Sequence, residues 1–270
     1  MNEVICGDCT VELPKLPSES INLIITDPPW QKTDYSFDQV KIDWDFIFQE
    51  LKRILKPNGW FFCFAPMNIL NKITDNNWRQ KFEYIWVKPG IIPTTHNTIR
   101  PTTQHEFIGA FIKPELKKVT ELCFNKKELQ TIGKTYNRKF TSKNKNGFLT
   151  KENRRTPTDK NGNSLNYNLI NNGIRSPSTV IYYPNKNRLK FNERTEHPTQ
   201  KPLALLEYIL SGYSNPNESV LDPFAGSGTT IEAAKKLNRN YIGIEINPNY
   251  HKIIENRLVK HNNHRMEAFT

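Results

Sequence analysis

The chain alternates apolar runs of strand character with segments whose apolar residues recur at helical spacing, and this alternation restricts the fold more than any other feature. The run INLIIT (21–26) is continuous and β-branched, as expected for a strand covered on both faces in a parallel sheet. The segment WDFIFQELKRILKPNG (44–59) has apolar residues at helical spacing up to Leu55 and is predicted to stop at Pro57 and Gly59. Strands that alternate with helices predict an α/β fold with a doubly wound, mostly parallel sheet.

The same alternation continues on both sides of a long polar segment. Strands are predicted for seven further runs: EVICGD (3–8), WFFCFAP (60–66), FEYIWVKP (82–89), EFIGAFIK (106–113), STVIYYP (178–184), SVLD (219–222) and NYIGIEI (240–246). Helices are predicted for four segments: MNILNKITDN (67–76), KPLALLEYILSGYS (201–214), TTIEAAKKLN (229–238) and PNYHKIIENRLVKH (248–261). The prolines of VELPKLP (11–17) limit that stretch to a turn or a short helix.

The positive charge of the chain is concentrated in the polar segment. The net charge is +11, and residues 125–195 contain sixteen Lys or Arg against four acidic residues, so the remainder is nearly neutral. The segment also holds many Asn and six scattered aromatic residues: Tyr136, Phe140, Phe148, Tyr167, Tyr182 and Tyr183. Cations neutralise phosphates, amides contact base edges and aromatic rings stack on bases, so this mixture favours nucleic-acid binding. A solvated loop is the alternative interpretation.

The composition predicts a soluble, cytoplasmic protein without a metal site. No apolar stretch is long enough to cross a bilayer, and the first residues, MNEVICGDCT, lack the basic and apolar regions of a signal peptide. Cys6 and Cys9 form a CxxC pair, but a zinc site needs two more ligands, and Cys63 and Cys123 stand alone in apolar contexts. A length of 270 residues suits one large domain with an insertion.

A glycine loop joins a strand to a helix at VLDPFAGSGTT (220–230). Gly226 and Gly228 let the backbone approach a ligand closely, and the helix that begins at Thr229 offers N–H groups to a carboxylate or phosphate. Glu245 ends the next strand, near the spacing at which an acid binds the two hydroxyls of a ribose. The pattern predicts a nucleoside-cofactor site, although the third glycine of the dinucleotide motif is absent. A tight structural turn is the alternative.

The strand INLIIT leads directly into Asp27-Pro28-Pro29-Trp30. The prolines stiffen the backbone and remove two N–H groups, so carbonyl oxygens are presented without competing donors. An exocyclic amine of a nucleobase fits this set, because it can stack on Trp30 while it donates to the Asp27 carboxylate and the Pro28 carbonyl oxygen. Two acceptors on one amine favour a pyramidal nitrogen that attacks an electrophile such as a sulfonium methyl group. A proline turn with an N-capping acid is the alternative.

Three motifs in a fixed order resemble the β class of DNA amino-methyltransferases, which use S-adenosylmethionine. In that class a D-P-P-[YW] motif comes first, a target-recognition region follows, and a D-P-F-x-G-S-G motif comes late. Here Asp27–Trp30 precedes the basic segment, His197-Pro198-Thr199-Gln200-Lys201-Pro202 is similar to the H-P-T-Q-K-P element of the class, and Asp222–Gly228 matches the late motif. The resemblance covers both flanks but little of the middle. It implies a Rossmann-like methyltransferase sheet with an inserted basic target-recognition region.

The resemblance also implies a role for each matching position. The catalytic residues are Asp27, Pro28, Pro29 and Trp30. The residues that hold the methionine end are Asp222, Phe224, Gly226, Ser227, Gly228 and Thr229, with Thr199, Gln200 and Lys201 anchoring its carboxylate. Glu245 binds the ribose, and Asp8 with Cys9 borders the cofactor adenine, where Asp27 also touches the cofactor site.

The implied activity is methyl transfer to N6 of an adenine that is flipped out of double-stranded DNA. Residues 1–114 form the catalytic half, 115–195 the target-recognition region and 196–270 the cofactor-binding half. Asp27 favours adenine, because the class usually has S-P-P-[YW] for cytosine N4. Cytosine N4, an RNA or protein-amide target, and a catalytically silent DNA-binding subunit remain alternatives. A homodimer and a cognate restriction endonuclease are further partners that the resemblance suggests.

Overall fold

Strands and helices alternate along the chain as the sequence pattern predicts. The computed structural model describes residues 2–30, 41–89, 103–132, 136–140, 167–171 and 174–267. Within these residues the strands, in chain order, are β1 (Asn2–Cys6), β2 (Ile21–Thr26), β3 (Leu55–Phe64), β4 (Arg79–Val87), β5 (His105–Ile112), β6 (Thr131–Ile132), β7 (Tyr136–Phe140), β8 (Tyr167–Asn171), β9 (Ile174–Arg175), β10 (Val180–Tyr182), β11 (Ser219–Asp222) and β12 (Asn240–Glu245). The α-helices are α1 (Cys9–Glu12), α2 (Trp44–Ile54), α3 (Met67–Asp75), α4 (Leu203–Tyr213), α5 (Thr229–Lys236) and α6 (Pro248–Glu267).

One large unit, Met1–Leu129 with Ser178–Thr270, contains an eight-stranded sheet in the order β1-β12-β11-β2-β3-β5-β4-β10. Neighbouring strands are parallel except where β5 pairs with β3 and β4, so β5 alone runs in the opposite direction within this sheet. The carboxyl ends of the other seven strands therefore share an edge with the first residues of β5. This arrangement confirms the predicted doubly wound, mostly parallel sheet.

Helices cover both faces of the sheet because successive apolar residues of the central strands point in opposite directions. In β2, Leu23 and Ile25 face a core that includes α4, α5 and α6, whereas Ile21 and Ile24 face a core that includes α1, α2 and α3. All four side chains are essentially inaccessible to solvent. Burial on both faces explains why INLIIT is continuously apolar rather than alternating.

The boundary between α2 and β3 differs from the sequence prediction. Leu55, which is expected to be helical, begins β3 and pairs with Ile21 of the neighbouring strand. Its φ of −68° and ψ of 138° are extended, while its N–H still donates to the Leu51 carbonyl oxygen. Pro57 follows two residues later, and the residue before a proline disfavours helical geometry, so the chain enters the strand at this point.

The smaller unit, Gln130–Pro177, contains two antiparallel strand pairs, β6 with β9 and β7 with β8. It lies within the basic range 115–195, while β10, from the same range, belongs to the large sheet. Of the aromatic residues in the basic segment, Phe148 lies outside the described residues, Tyr182 is exposed, and Tyr183 packs against the core of the large unit. A helix with the length and apolarity needed to span a bilayer does not occur in the described part of the chain.

Candidate active site

A cavity of about 800 Å³ opens at the carboxyl edge of the large sheet. Its wall includes the residues that follow β1, β2, β3, β4 and β11, the end of β12 and the start of β5. The connection after β2 leads to β3 on one side, and the connection after β11 leads to β12 on the other side. The crevice between β2 and β11 is therefore the topological switch point, where open α/β sheets bind ligands.

The glycine loop adopts a backbone that only glycine takes without strain. Gly226 has a φ of 52° and Gly228 a φ of 73°, both in the left-handed region. A Cβ on Gly226 would lie 3.1 Å from Nε2 of His197, and one on Gly228 would lie 2.7 Å from the side chain of Ile254. The first glycine thus keeps a small cradle open next to His197, and the second allows α6 to pack against the loop.

Glu245 connects the glycine loop to the end of β12. Its two carboxylate oxygens accept hydrogen bonds from the backbone N–H groups of Gly226, at 2.7 Å, and Asn247, at 2.9 Å. Burial raises the pKa of Glu245 above its usual value, although these two hydrogen bonds oppose the shift. The carboxylate is therefore held in a fixed direction at the cavity wall, with lone pairs left for further donors.

Asp222 joins the two halves of the motif set. Its carboxylate accepts a hydrogen bond from the Thr26 hydroxyl at 3.0 Å and from the Phe224 N–H at 3.2 Å. Thr26 directly precedes Asp27, so this bond places the cofactor loop beside the catalytic motif although the two lie far apart in sequence. Burial raises the pKa of Asp222 to about 7.

Arg257 of α6 supports the glycine loop from behind. Its guanidinium donates to the Ser227 carbonyl oxygen at 2.9 Å, to the Thr229 hydroxyl at 3.0 Å and to a Glu232 carboxylate oxygen at 2.5 Å. The side chains of Arg257 and Glu232 are 9% and 15% exposed, so the ion pair is largely shielded from water. Sequence reasoning missed Arg257, because nothing at its position in a polar helix distinguishes it from other basic residues.

The catalytic motif extends from the end of β2 along the cavity. Pro28 is buried, whereas Asp27, Pro29 and Trp30 are partly exposed, and all four side chains line the cavity. The Trp30 ring stacks on Trp44 with centroids 5.5 Å apart and an interplanar angle of 13°. Trp44 in turn stacks on the buried ring of Phe48 at 5.5 Å. One face of Trp30 is thus anchored to the core through α2, a role for Trp44 that the sequence did not indicate.

The H-P-T-Q-K-P element places its residues in different environments. Thr199 and Lys201 line the cavity. Gln200 is 3% exposed and lies outside the cavity wall, because its amide accepts from Thr195 at 2.7 Å and donates to the Glu193 carbonyl oxygen at 2.9 Å. The amide holds the loop together, and any action of Gln200 on a ligand is indirect.

Lys201 lies between two carboxylates. Its ammonium forms an ion pair with Asp27 and lies 3.7 Å from a carboxylate oxygen of Glu106, which forms a second ion pair with Lys88. Burial raises the pKa of Asp27, while the Lys201 ammonium opposes that shift. Burial would lower the pKa of Lys201, but Asp27 and Glu106 raise it above the usual value. Glu106 and Lys88 are functional candidates that sequence reasoning missed.

The adenine side of the predicted site lies at the start of α1. The Asp8 carboxylate accepts a hydrogen bond from the Thr10 N–H at 2.8 Å and caps the helix. Cys9 is buried, and burial raises the pKa of its thiol to about 12. His197, which contacts Tyr250 edge-on at 4.4 Å, has a pKa lowered to about 4 by burial. Both Cys9 and His197 are therefore neutral at physiological pH.

The cavity brings together nearly all of the predicted site residues. Those that line it are Asp8, Cys9, Asp27, Pro28, Pro29, Trp30, Thr199, Lys201, Asp222, Phe224, Gly226, Ser227, Thr229 and Glu245. Gln200 and Gly228 do not line it, and each instead shapes the loop that carries its neighbours. No group of three or more potential metal ligands occurs among the described residues.

Comparison with known proteins identifies the family. A family model described as DNA methylase, which covers N6 and N4 methyltransferases, matches residues 21–256. The chain belongs to this family. The protein is thus an S-adenosylmethionine-dependent DNA methyltransferase, and the predicted family, enzyme class and cofactor are confirmed.

Several proteins resemble this methyltransferase over most of its length. The DNA adenine methyltransferase YhdJ of Escherichia coli K12 is 31% identical over 94% of this chain and 82% of that protein. The Type II methyltransferase M.HpaI of Haemophilus parainfluenzae is 30% identical over 94% of this chain and 73% of that protein.

Solved structures show the same fold at lower identity. A complex of M1.HpyAVI with SAM has a TM-score of 0.60 and 24% identity over 95% of this chain and 100% of that chain. The cytosine-N4-specific PvuII DNA methyltransferase has a TM-score of 0.64 and 18% identity over 95% of this chain and 86% of that chain. The methyltransferase therefore shares its fold with structures that differ in printed target base.

Proposed function

We propose that this protein transfers a methyl group from S-adenosylmethionine to the exocyclic N6 of an adenine flipped out of duplex DNA. The observation that carries the proposal is the hydrogen bond of 3.0 Å between Thr26 and Asp222, which joins the Asp27 motif to the glycine loop at the switch point. The relative from Escherichia coli is named a DNA adenine methyltransferase, which supports adenine as the target.

The residues of the cavity fit the cofactor. The cradle beside Gly226 is a space that a Cβ would fill, and the fixed Glu245 carboxylate can accept from ribose hydroxyls. We assign the adenine border to Asp8 and Cys9, and the methionine end to the loop Asp222–Thr229 with Thr199. When bound, S-adenosylmethionine supplies an electrophilic methyl group on its sulfonium centre.

The catalytic motif then binds and orients the target amine. The Asp27 carboxylate and the Pro28 carbonyl oxygen accept its two hydrogens, and the lone pair is directed at the methyl carbon. The exposed face of Trp30 stacks on the base, and Trp44 keeps the ring in place. Gln200 holds the loop that presents Thr199 and Lys201.

Recognition of the DNA site is assigned to residues 115–195, which carry most of the positive charge. Cations there neutralise phosphates, while amides and aromatic rings contact bases. Much of this range, including 141–166, lies outside the described residues. A cytoplasmic location, a homodimer and a cognate restriction endonuclease stay predictions.

Mass spectrometry of nucleosides tests the proposal. Unmethylated DNA incubated with enzyme and S-adenosylmethionine should yield N6-methyladenine, whereas N4-methylcytosine would assign the alternative base. Asp27→Ala should abolish transfer while calorimetry shows cofactor binding largely intact. Asp75→Asn, an exposed acid outside the cavity wall, is the matched control and should transfer normally. Normal transfer by Asp27→Ala would refute the mechanism, and absence of cofactor binding by the wild type would favour a silent subunit.

A further inference from the structure

Four charged side chains of alternating sign lie in a row along the cavity wall. Lys88 follows β4, Glu106 lies at the start of β5, Lys201 precedes α4, and Asp27 follows β2. Glu106 pairs with Lys88 and lies 3.7 Å from Lys201, which pairs with Asp27. Four separate chain segments thus contribute to one row that ends on the catalytic carboxylate.

Lys201 depends on this row for its charge. Its side chain is 13% exposed, and the ammonium lies over the Phe64 ring at 5.3 Å from the centroid. A buried ammonium keeps its proton only when anionic partners offset the loss of water. Asp27 and Glu106 supply these partners, and the Lys88 ammonium keeps Glu106 ionised.

We propose that Lys201 is a positioning residue of methyl transfer, whose ammonium keeps the Asp27 carboxylate ionised and directed at the target amine, and that Glu106 and Lys88 hold Lys201 in place. This assignment rests on the proposed function, in which Asp27 accepts a hydrogen from that amine. It differs from the sequence expectation that Lys201 anchors the methionine carboxylate.

The charge state of Asp27 decides whether it can serve as an acceptor. A carboxylate accepts an N–H with both oxygens, whereas the protonated acid presents a donor on one of them. Burial and the negative charge of Glu106 both favour the protonated form of Asp27. The Lys201 ammonium is the cation that opposes them, so its removal shifts Asp27 toward the inactive acid.

Other groups face Asp27 without replacing Lys201. They are Trp30, which lowers the pKa of Asp27 through a hydrogen bond, Glu106, the buried Asp222 and the buried Cys63 thiol. The pKa of Asp222 is set by burial, by bonds from Thr230, Thr26 and Phe224, and by Asp27. Loss of the Lys201 charge therefore acts on the titration of Asp27 rather than directly on that of Asp222.

The test measures single-turnover methyl transfer to DNA against pH, together with the Kd for S-adenosylmethionine by calorimetry. For Lys201→Met we expect the acid limb of the rate profile to move up by about one unit or more. The rate at pH 7 then falls about tenfold or more, because each unit of pKa above the pH leaves about a tenth of the carboxylate. The Kd should change by less than about threefold, which is under half a tenfold step in free energy.

Two further variants give the proposal a signature that a structural defect does not share. Lys201→Arg keeps the positive charge and should return the acid limb to its wild-type position. Glu106→Gln removes a charge that raises the pKa of Asp27, so the acid limb should move down while the rate plateau falls as Lys201 loses a partner. Shifts of opposite sign at Lys201 and Glu106 cannot come from general unfolding.

Each outcome has a distinct meaning. A Lys201→Met enzyme that binds S-adenosylmethionine at least about tenfold more weakly, with an unmoved acid limb, would assign Lys201 to the methionine carboxylate and overturn the proposal. An unmoved acid limb in both Lys201→Met and Glu106→Gln would also overturn it. Failure of the wild type to form N6-methyladenine, or normal transfer by Asp27→Ala, would instead refute the proposed function itself.

Discussion

The brace that Arg257 provides to the glycine loop yields a quantitative prediction. Arg257→Met keeps the apolar stem but removes the guanidinium, and with it the bonds to Glu232, Ser227 and Thr229 at 2.5–3.0 Å. Breaking a buried ion pair by removing one partner costs about 3–5 kcal/mol, and the 9% and 15% exposure of the pair places it in this class. We expect the free energy of unfolding to fall by about this amount.

Urea denaturation followed by tryptophan fluorescence measures the loss. The matched control is Lys15→Met, which breaks an ion pair with Glu12 whose lysine side chain is 61% exposed, and it should cost less than about 1 kcal/mol. The double variant Arg257→Met with Glu232→Gln should lose less than the sum of the two single changes.

The Arg257 change should also weaken cofactor binding, because Ser227 and Thr229 line the cavity. We expect the Kd for S-adenosylmethionine to rise about tenfold or more, or about 1.4 kcal/mol. If Arg257→Met were no less stable than Lys15→Met and bound the cofactor normally, the inference that α6 supports the loop through this guanidinium would be wrong.

Further predictions concern the loop, the ring stack and acid stability. Gly226→Ala places a Cβ 3.1 Å from the His197 ring at a φ of 52°, so the Kd for S-adenosylmethionine in calorimetry should rise about tenfold or more. Trp30→Ala should weaken DNA binding more than cofactor binding, and Trp44→Ala should do so to a smaller extent, since it removes only the ring behind Trp30. Burial lowers the pKa of His197 from 6.5 to about 4, so this group withdraws stability as the pH falls through that range. Burial raises the pKa of Asp222 from 3.8 to about 7, so this group withdraws stability as the pH rises through that range. In urea denaturation between pH 6.5 and 4, Asp222→Asn should therefore make the acid loss steeper than in the wild type and His197→Gln shallower, each by up to about 3 kcal/mol.

The controls for these experiments lie in paired measurements. Unchanged cofactor affinity in Gly226→Ala would contradict the assignment of the cradle to the cofactor. Equal losses of DNA and cofactor binding in Trp30→Ala would count against a stacking role. Identical pH slopes in the Asp222→Asn and His197→Gln variants would show that neither buried group carries the expected linkage.

The strands and the main motifs could be predicted from the sequence because their signals are local. INLIIT is apolar at nearly every position and forms β2 over the same six residues. A residue that ends a parallel strand lies at a known edge of the sheet, so Asp27, Asp222 and Glu245 could be placed near one another without coordinates. The prolines of the catalytic motif and the glycines of the loop restrict the backbone wherever they occur.

The remaining features depend on contacts between distant parts of the chain. Leu55 leaves the helix because it pairs with Ile21, a partner that helical spacing does not reveal. Gln200 turns away from the cavity because Thr195 and Glu193 take up its amide.

The sequence alone therefore determined the fold class, the order of the motifs and the residues at the strand ends, since each follows from local geometry and apolar pattern. Only the tertiary structure decided which charges face one another. Glu106, Lys88 and Arg257 look like ordinary charged residues in the sequence. They matter because folding buries them next to Lys201 and the glycine loop, where loss of water makes each partner decisive.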